Sequence, residues 1–214
     1  MSIRNIIFDL CGPIVTIDLE LMNRRFRDFG VKAEKPYQLL RSDGLTKMYE
    51  AGEISTGEFC RRVRHLLAAK LGDTQILEAW NTIVADFPES HIECIRELHH
   101  RCRLFLLSNS DVTNARFFKE YLNSQAGFDF VEDCFDGVFF SYDLHERKPN
   151  PAVFQRIVDK HGLATSETLV VDDCRKHCEG AASIGLHTHW LQPGEDICEL
   201  DILTAIRKGN GTIN

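Results

Sequence analysis

The chain has 214 residues, of which 43% are hydrophobic, and its 25 basic and 32 acidic residues give a net charge of −7. This length and composition predict a protein that buries a substantial core without disulfides or metal crosslinks. The acidic balance argues against a nucleic-acid-binding surface, and no apolar run approaches the roughly 18–20 residues of a membrane helix. The eight cysteines contain no Cys-x-x-Cys pair, and Asp9 interrupts the apolar stretch near the amino terminus. We therefore expect a reduced, cytoplasmic protein.

Five short runs rich in β-branched or aromatic residues are predicted to be strands of one sheet. The first contains NIIFDL, and later runs include LFLL and LVV, which are apolar throughout. Such runs are typical of parallel strands that are buried on both faces. The predicted strands, in chain order, are Asn5–Leu10, Arg103–Ser108, Gly137–Phe140, Thr168–Asp172 and His187–Leu191.

A helical segment separates the first predicted strand from the other four. Between about Asp18 and Phe87 the apolar residues recur at helical spacing, and the sequence predicts no strand there. We therefore predict an α/β core formed by residues 1–15 and 88–214, and a small all-helical cap formed by residues 16–87.

Signals at helix ends support this organisation. A capping box, in which serine is followed three residues later by glutamate, occurs at Ser55 and at Ser90. The pair Asn150-Pro151 places an N-cap residue before a proline, which favours a helix start at that point. Strands that alternate with helices imply right-handed crossovers, so we predict a doubly wound, mostly parallel α/β sheet.

Polar residues stand at the carboxyl ends of the predicted strands. Asp9 ends the first strand, Ser108-Asn109 the second and Asp172-Asp173 the fourth. Lys148 follows the third. Ligands of open α/β sheets bind beyond these strand ends, so we expect one cleft to collect these side chains. Three carboxylates in a cleft repel strongly and one lysine offsets only one of them, whereas a divalent cation would balance the charge. Mg²⁺ prefers such oxygen ligands, and a lysine-lined magnesium cleft suits a phosphate group.

The four segments FDLCG, LLSN, RKPNPAVF and LVVDD, in this order, resemble the four signature motifs of the haloacid dehalogenase superfamily of hydrolases. The helical insertion directly after the first motif resembles the small C1-type cap of that superfamily. The segments SNS, FSYDL with RKP, and VDD resemble the subgroup that contains sugar-1-phosphate phosphatases. The resemblance covers nearly the whole chain. It implies a magnesium-dependent phosphohydrolase that acts on a small phosphorylated metabolite, such as a sugar phosphate.

The resemblance also implies a role for each matching residue. Asp9 matches the nucleophile, which attacks phosphorus and becomes an aspartyl-phosphate. Ser108, helped by Asn109, matches the residue that binds the phosphoryl oxygens, and Lys148 matches the lysine that neutralises charge on nucleophile and phosphate. The implied Mg²⁺ ligands are Asp9, the backbone carbonyl of Cys11, Asp172 and Asp173.

Position 11 departs from the family pattern. Typical phosphatases of the family have a second aspartate here, which protonates the leaving oxygen and then activates water. Cys11 is a weak hydrogen-bond donor and a poor base for water. His177, on the predicted helix after Asp173, is one open alternative for the acid–base role. Loss of acid–base catalysis typically costs about 10²–10⁴ in rate, and should matter least for good leaving groups.

Two other functions stay open from the sequence. A metal-free 2-haloacid dehalogenase also lacks the second aspartate of the first motif, although the paired acids Asp172-Asp173 argue against it. A weakly active or inactive binding or regulatory protein on the same fold would result if Cys11 abolished turnover. We expect a small-molecule ligand, no nucleic-acid or membrane partner, and a monomer or dimer.

Overall fold

A computed structural model of the chain describes residues 3–208. In this range the strands are β1 (Asn5–Phe8), β2 (Thr16–Ile17), β3 (Val84–Asp86), β4 (Arg103–Ser108), β5 (Gly137–Phe140), β6 (Thr168–Asp172) and β7 (His187–Trp190). The helices are α1 (Leu19–Asp28), α2 (Pro36–Ser42), α3 (Leu45–Glu50), α4 (Thr56–Leu66), α5 (Asp73–Asn81), α6 (Glu89–His99), α7 (Val112–Ala126), α8 (Phe130–Cys134), α9 (Ser141–Leu144), α10 (Pro151–His161), α11 (Arg175–Ala182) and α12 (Asp201–Arg207). Within residues 3–208, no helix has both the length and the apolar character needed to cross a membrane.

Five parallel strands form the central sheet, in the order β5-β4-β1-β6-β7. Phe8 of β1 pairs with Leu106 of β4 on one side and with Val171 of β6 on the other. The chain therefore winds outward from β1 in both directions, and the reversal of strand order creates a crevice at the carboxyl end of β1. The predicted doubly wound, parallel α/β sheet is confirmed.

Alternate residues of the strands pack against helices on opposite faces of the sheet. Ile6 and Phe8 belong to a buried cluster that includes residues of α6, α7 and α12. Ile7 belongs to a second cluster, which is formed with α10 and α11. Because both faces of β1 are covered, Ile6, Ile7 and Phe8 are apolar, and the strand ends before Asp9.

Helices α1–α5 form the helical segment that follows β1, as the sequence predicts. Each helix contacts the next along the chain, and Phe59, Val63 and Trp80 are buried among them. Their buried residues are continuous with the cluster on one face of the sheet. Ser55 caps α4 as predicted, because its hydroxyl accepts a hydrogen bond from the Glu58 N–H at 3.2 Å. The division of the chain into separate core and cap domains stays a prediction.

Two details of the sequence prediction are wrong. Strand β3 lies in the segment where the sequence predicts no strand, and it pairs antiparallel with β2 where the chain enters and leaves α1–α5. This ladder is too short for alternation to show in the sequence. Helix α6 begins at Glu89, so Ser90 lies inside its first turn and does not cap it. Asn150 does cap α10 as predicted, accepting from the Ala152 N–H at 3.0 Å.

Candidate active site

Lys148 joins two carboxylates at the carboxyl end of the sheet. Its Nζ lies 2.9 Å from Asp9 Oδ1 and 2.7 Å from Asp172 Oδ2. All three side chains are buried. Asp9 directly follows β1 and Asp172 ends the neighbouring strand β6, so the parallel register of the two strands brings these acids together.

Burial and mutual charge change the proton affinity of all three groups. Burial raises the pKa of Asp9, and the neighbouring Asp172 raises it further. Burial alone would lower the pKa of Lys148, but the two carboxylates outweigh it and raise the pKa. For Asp172, Lys148 and His177 outweigh burial and lower the pKa. One ammonium group therefore does not balance the negative charge of both Asp9 and Asp172.

Asp173 packs against the turn that follows β1. A Cβ on Gly12 would lie 2.5 Å from the Asp173 carboxyl carbon, and the Gly12 φ of +103° also favours glycine. The bare backbone at this position thus lets the acid approach the turn and line the same cavity as Asp9. Burial raises the pKa of Asp173, and Asp172 adds to this effect.

Cys11 lines the same cavity, with its thiol protonated. Burial raises the pKa of the thiol well above its ordinary value, and the Asp9 carboxylate raises it further. A thiol in this state is not a base for water. The Cys11 carbonyl accepts no hydrogen bond from residues 3–208, so its oxygen is available to a ligand.

Ser108 and Asn109 reach the cavity from the end of β4. The Ser108 hydroxyl shares a 2.8 Å hydrogen bond with the Ser110 hydroxyl. The Asn109 amide bonds the backbone of Lys148 at both ends: Nδ2 donates to the carbonyl at 3.0 Å, and Oδ1 accepts from the N–H at 2.9 Å. Asn109 therefore holds the lysine in place, and its contact with a substrate stays a prediction.

His177, on the first turn of α11, lines the cavity and also contacts Asp172. Its Nδ1 lies 3.0 Å from Asp172 Oδ1, a geometry that requires the Nδ1–H tautomer or the imidazolium. The Cys174 N–H donates to the same oxygen at 2.8 Å. These two donors orient Asp172, and an acid–base role for His177 stays a prediction.

Sequence reasoning missed an ion pair between α3 and the loop that carries Lys148. The Arg147 guanidinium contacts the Glu50 carboxylate. Arg147 directly precedes Lys148, which is a signal that could have drawn attention to it. Glu50 lies 97 residues earlier in the chain, and nothing local in the sequence marks it as the partner.

The site opens into a cavity of about 320 Å³, which falls in the range of roughly 300–1,000 Å³ typical of small-molecule sites. Asp9, Ser108 and Asp173 contribute from the sheet side. The Trp80 indole N–H donates to Asp111 Oδ2 at 2.7 Å, which ties α5 to the start of α7 beside the cavity. The side chains that α2, α3 and α5 contribute are Tyr37, Arg41, Thr46, Lys47, Glu50 and Trp80.

The donor set fits a hard divalent cation. One carboxylate oxygen each of Asp9 and Asp172 and a ring nitrogen of His177 lie within 4.8 Å of one another. With Asp173 and the Cys11 carbonyl, four residues of the site can offer oxygen ligands, which Mg²⁺ prefers. A cation would also offset the charge of Asp172 and Asp173, which adds to the larger effect of burial in raising the pKa of Asp9.

Comparisons with known proteins identify the family of the chain. A family model described as a haloacid dehalogenase-like hydrolase matches residues 3–185. A D-ribitol-5-phosphate phosphatase from Bacteroides thetaiotaomicron is 26% identical over 195 residues, which cover 91% of this chain and 94% of the relative.

Solved structures are similar over most of the chain. A HAD family enzyme from Bacteroides thetaiotaomicron, in complex with magnesium and inorganic phosphate, has a TM-score of 0.83 and 28% identity, and covers 91% of this chain and 97% of its own. An L-2-haloacid dehalogenase from Xanthobacter autotrophicus has a TM-score of 0.64 at 16% identity, covering 99% of this chain and 85% of its own, a likeness in fold alone. Because the family model matches most of the residues, the chain belongs to the haloacid dehalogenase-like hydrolases.

Proposed function

We propose that this protein is a magnesium-dependent phosphohydrolase that acts on a small phosphorylated metabolite, such as a sugar or polyol phosphate. The observation that carries this proposal is the buried cluster in which Lys148 joins Asp9 and Asp172 beside a small cavity. The relative that is a D-ribitol-5-phosphate phosphatase supports it, as does the similar structure in complex with magnesium and phosphate. A cytoplasmic location and a monomeric or dimeric state stay predictions.

Asp9 has the surroundings that a nucleophile needs. Lys148 and the following backbone N–H hold Oδ1, which leaves Oδ2 free to attack phosphorus. That attack forms an aspartyl-phosphate and releases the alcohol of the substrate. Lys148 offsets the negative charge that gathers between the carboxylate and the phosphoryl group, and the Ser108 hydroxyl can donate to a phosphoryl oxygen.

Asp9, Asp172, Asp173 and the carbonyl of Cys11 are the residues that would hold Mg²⁺. When bound, the ion supplies positive charge that keeps Asp9 ionised and offsets the phosphate. Lys148 cannot do this alone, because two carboxylates already share its ammonium group.

The wall formed by α2, α3 and α5 favours a small polar substrate. Arg41 and Lys47 bring positive charge to the cavity, while Tyr37 and Thr46 bring hydroxyl groups. Charged groups and hydroxyls in a cavity of this size suit the hydroxyls and phosphate of a sugar or polyol phosphate better than an apolar ligand.

Phosphate release from a panel of sugar phosphates, polyol phosphates and an activated aryl phosphate tests the proposal. We expect hydrolysis that requires Mg²⁺ and is lost in Asp9→Asn, which keeps the size of the side chain but removes the nucleophile. The matched control is Asp159→Asn, an exposed acid on α10, which should keep wild-type activity.

Two other results would contradict the proposal. Chloride release from a 2-haloacid without metal would indicate a dehalogenase. If no ester were hydrolysed while phosphate still raised the melting temperature, the protein would be a binding protein on the same fold.

A further inference from the structure

We propose that Glu50 is the acid–base residue that position 11 lacks, an assignment that rests on the proposed phosphohydrolase function. Cys11 occupies the position where a carboxyl group is expected beside the leaving oxygen. Glu50, the last residue of α3, lines the same cavity and carries a carboxyl group.

The backbone of Glu50 is fixed against the sheet side of the molecule. Its carbonyl accepts a hydrogen bond from the Ser141 hydroxyl at 2.6 Å. The carbonyl of the next residue, Ala51, lies 3.2 Å from His145 Nδ1. Both contacts join the end of α3 to α9 and the residue that follows it. The carboxylate of Glu50 thus reaches the cavity from an anchored backbone, as acid–base catalysis requires.

Glu50, Cys11 and Tyr37 line the same cavity as Asp9. The charge of Glu50 contributes to the raised pKa of the Cys11 thiol, after the larger effects of burial and Asp9. Burial, Glu50 and Cys11 all raise the pKa of Tyr37. Cys11 is two residues along the chain from the nucleophile, and Glu50 lines the same cavity from the end of α3. The leaving group of a phosphate ester attacked by Asp9 would lie in this cavity.

Arg147 holds the Glu50 carboxylate and retains a free donor. A terminal guanidinium nitrogen contacts Glu50 Oε2. The Arg147 Nε–H is buried and has no hydrogen-bond partner within residues 3–208. A buried donor without a partner is unusual and calls for one, and an oxygen of a bound substrate would provide it. Glu50 and Arg147 therefore line the substrate cavity and also join α3 to the loop that carries Lys148.

Glu50 can exchange a proton near neutral pH. Burial raises its pKa to about 7, although Arg147 opposes the rise. A residue that both donates and accepts a proton works best when its pKa lies near the working pH. The charged or titratable side chains that surround Glu50 and the end of α3 are Arg147, Asp111, Arg41, Lys47, Tyr37, Cys11 and His145.

The proton moves twice in the proposed reaction. In the first step, Asp9 Oδ2 bonds to phosphorus while the bond from phosphorus to the alcohol oxygen breaks, and that oxygen takes the proton of the Glu50 carboxyl group. In the second step, the Glu50 carboxylate takes a proton from water while the water oxygen bonds to phosphorus and the bond to Asp9 breaks. Phosphate leaves, and both acids return to their starting states.

Glu50→Gln tests the assignment, because it keeps the size of the side chain and an oxygen that can accept from Arg147. With alkyl phosphates, whose alcohols are poor leaving groups, we expect kcat to fall by about 10²–10⁴. With an activated aryl phosphate we expect a much smaller loss, since that leaving group needs no proton. The double variant Glu50→Gln with Cys11→Asp should regain much of the lost rate on alkyl phosphates. The control Glu53→Gln, which changes an exposed acid three residues away, should leave both rates unchanged.

Equal losses on alkyl and aryl phosphates, without recovery in the double variant, would overturn the assignment and leave Glu50 as an anchor of α3. Unchanged rates in Glu50→Gln would overturn it as well. The proposed function fails separately: it is lost if wild type hydrolyses no phosphate ester, or if Asp9→Asn remains active.

Discussion

Lys148 is buried, and neighbouring residues hold both its ammonium group and its backbone. Asp9 and Asp172 hold its ammonium group, and Asn109 bonds its backbone N–H and carbonyl. A buried charge is tolerated only when it is paired in this way. The same lysine therefore contributes to stability and, in the proposed reaction, offsets the charge of the phosphate.

Lys148→Met should destabilise the fold at neutral pH. The change leaves two buried carboxylates without their shared partner, and breaking a buried ion pair typically costs about 3–5 kcal/mol. Urea unfolding measures the loss, and Lys32→Met, at an exposed position, should change stability by less than about 0.5 kcal/mol. If Lys148→Met were as stable as wild type, the ammonium group would not hold the two acids together.

Glu50 should make stability depend on pH. Its folded-state pKa of about 7 lies above the ordinary value of 4.5, so the folded protein binds this proton more tightly than the unfolded chain does. The resulting stabilisation is complete below pH 4.5 and is lost as the pH rises through 7. From low to neutral pH, wild type should therefore lose up to about 3 kcal/mol relative to Glu50→Gln. Urea unfolding of both proteins across this range gives the difference, and a difference that does not vary with pH would contradict the burial of an ionisable group.

At the scale of elements, α11 lies unusually close to the loop that carries Lys148. A Cβ on Gly180 would lie 2.1 Å from the carbonyl oxygen of Pro149, so a larger residue there would push helix and loop apart. The first turn of the same helix carries His177, which contacts Asp172. The contact at Gly180 thus helps to set the distance between the lysine and the acids.

Gly180→Ala should lower both stability and activity. Overpacking at such a contact typically costs about 1–3 kcal/mol, and the displaced loop would move Lys148 away from Asp9. Gly57→Ala is the matched control, because Gly57 lies in α4 and an added Cβ meets no atom within 4 Å. That control should be stabilised by about 0.5–1 kcal/mol, since alanine favours a helix over glycine. Thermal unfolding and kcat/KM report the two effects, and equal behaviour of the two variants would contradict the close contact.

Strands and helices could be predicted from the sequence where several consecutive residues follow one hydrophobic pattern. The inner strands β1, β4 and β6 are buried on both faces, so their apolar runs stand out in the sequence. The ladder of β2 and β3 has no such run, because Thr16 and Asp86 are exposed. The capping-box pattern predicts the wrong start for α6. A serine three residues before a glutamate also occurs inside a helix, as Ser90 does in α6.

At the scale of the whole molecule, the site joins segments that are far apart in the sequence. The strand ends that carry Asp9, Ser108 and Asp172 could be predicted to meet, because parallel strands place their carboxyl ends at one edge. The contribution of α1–α5 could not be predicted, because it depends on how this segment packs on the sheet. Glu50 and Arg147 meet only through that packing, and no spacing rule links them.

Acid quenching during turnover of a good phosphate ester, followed by mass spectrometry of the peptide that contains Asp9, tests the proposed covalent chemistry most directly. We expect a phosphate adduct on this peptide in the presence of Mg²⁺, with more of it in Glu50→Gln if the second step is slowed. The adduct should be absent from Asp9→Asn. Continued hydrolysis by Asp9→Asn, with no adduct on Asp9 in wild type at any quench time, would contradict a nucleophilic role for Asp9.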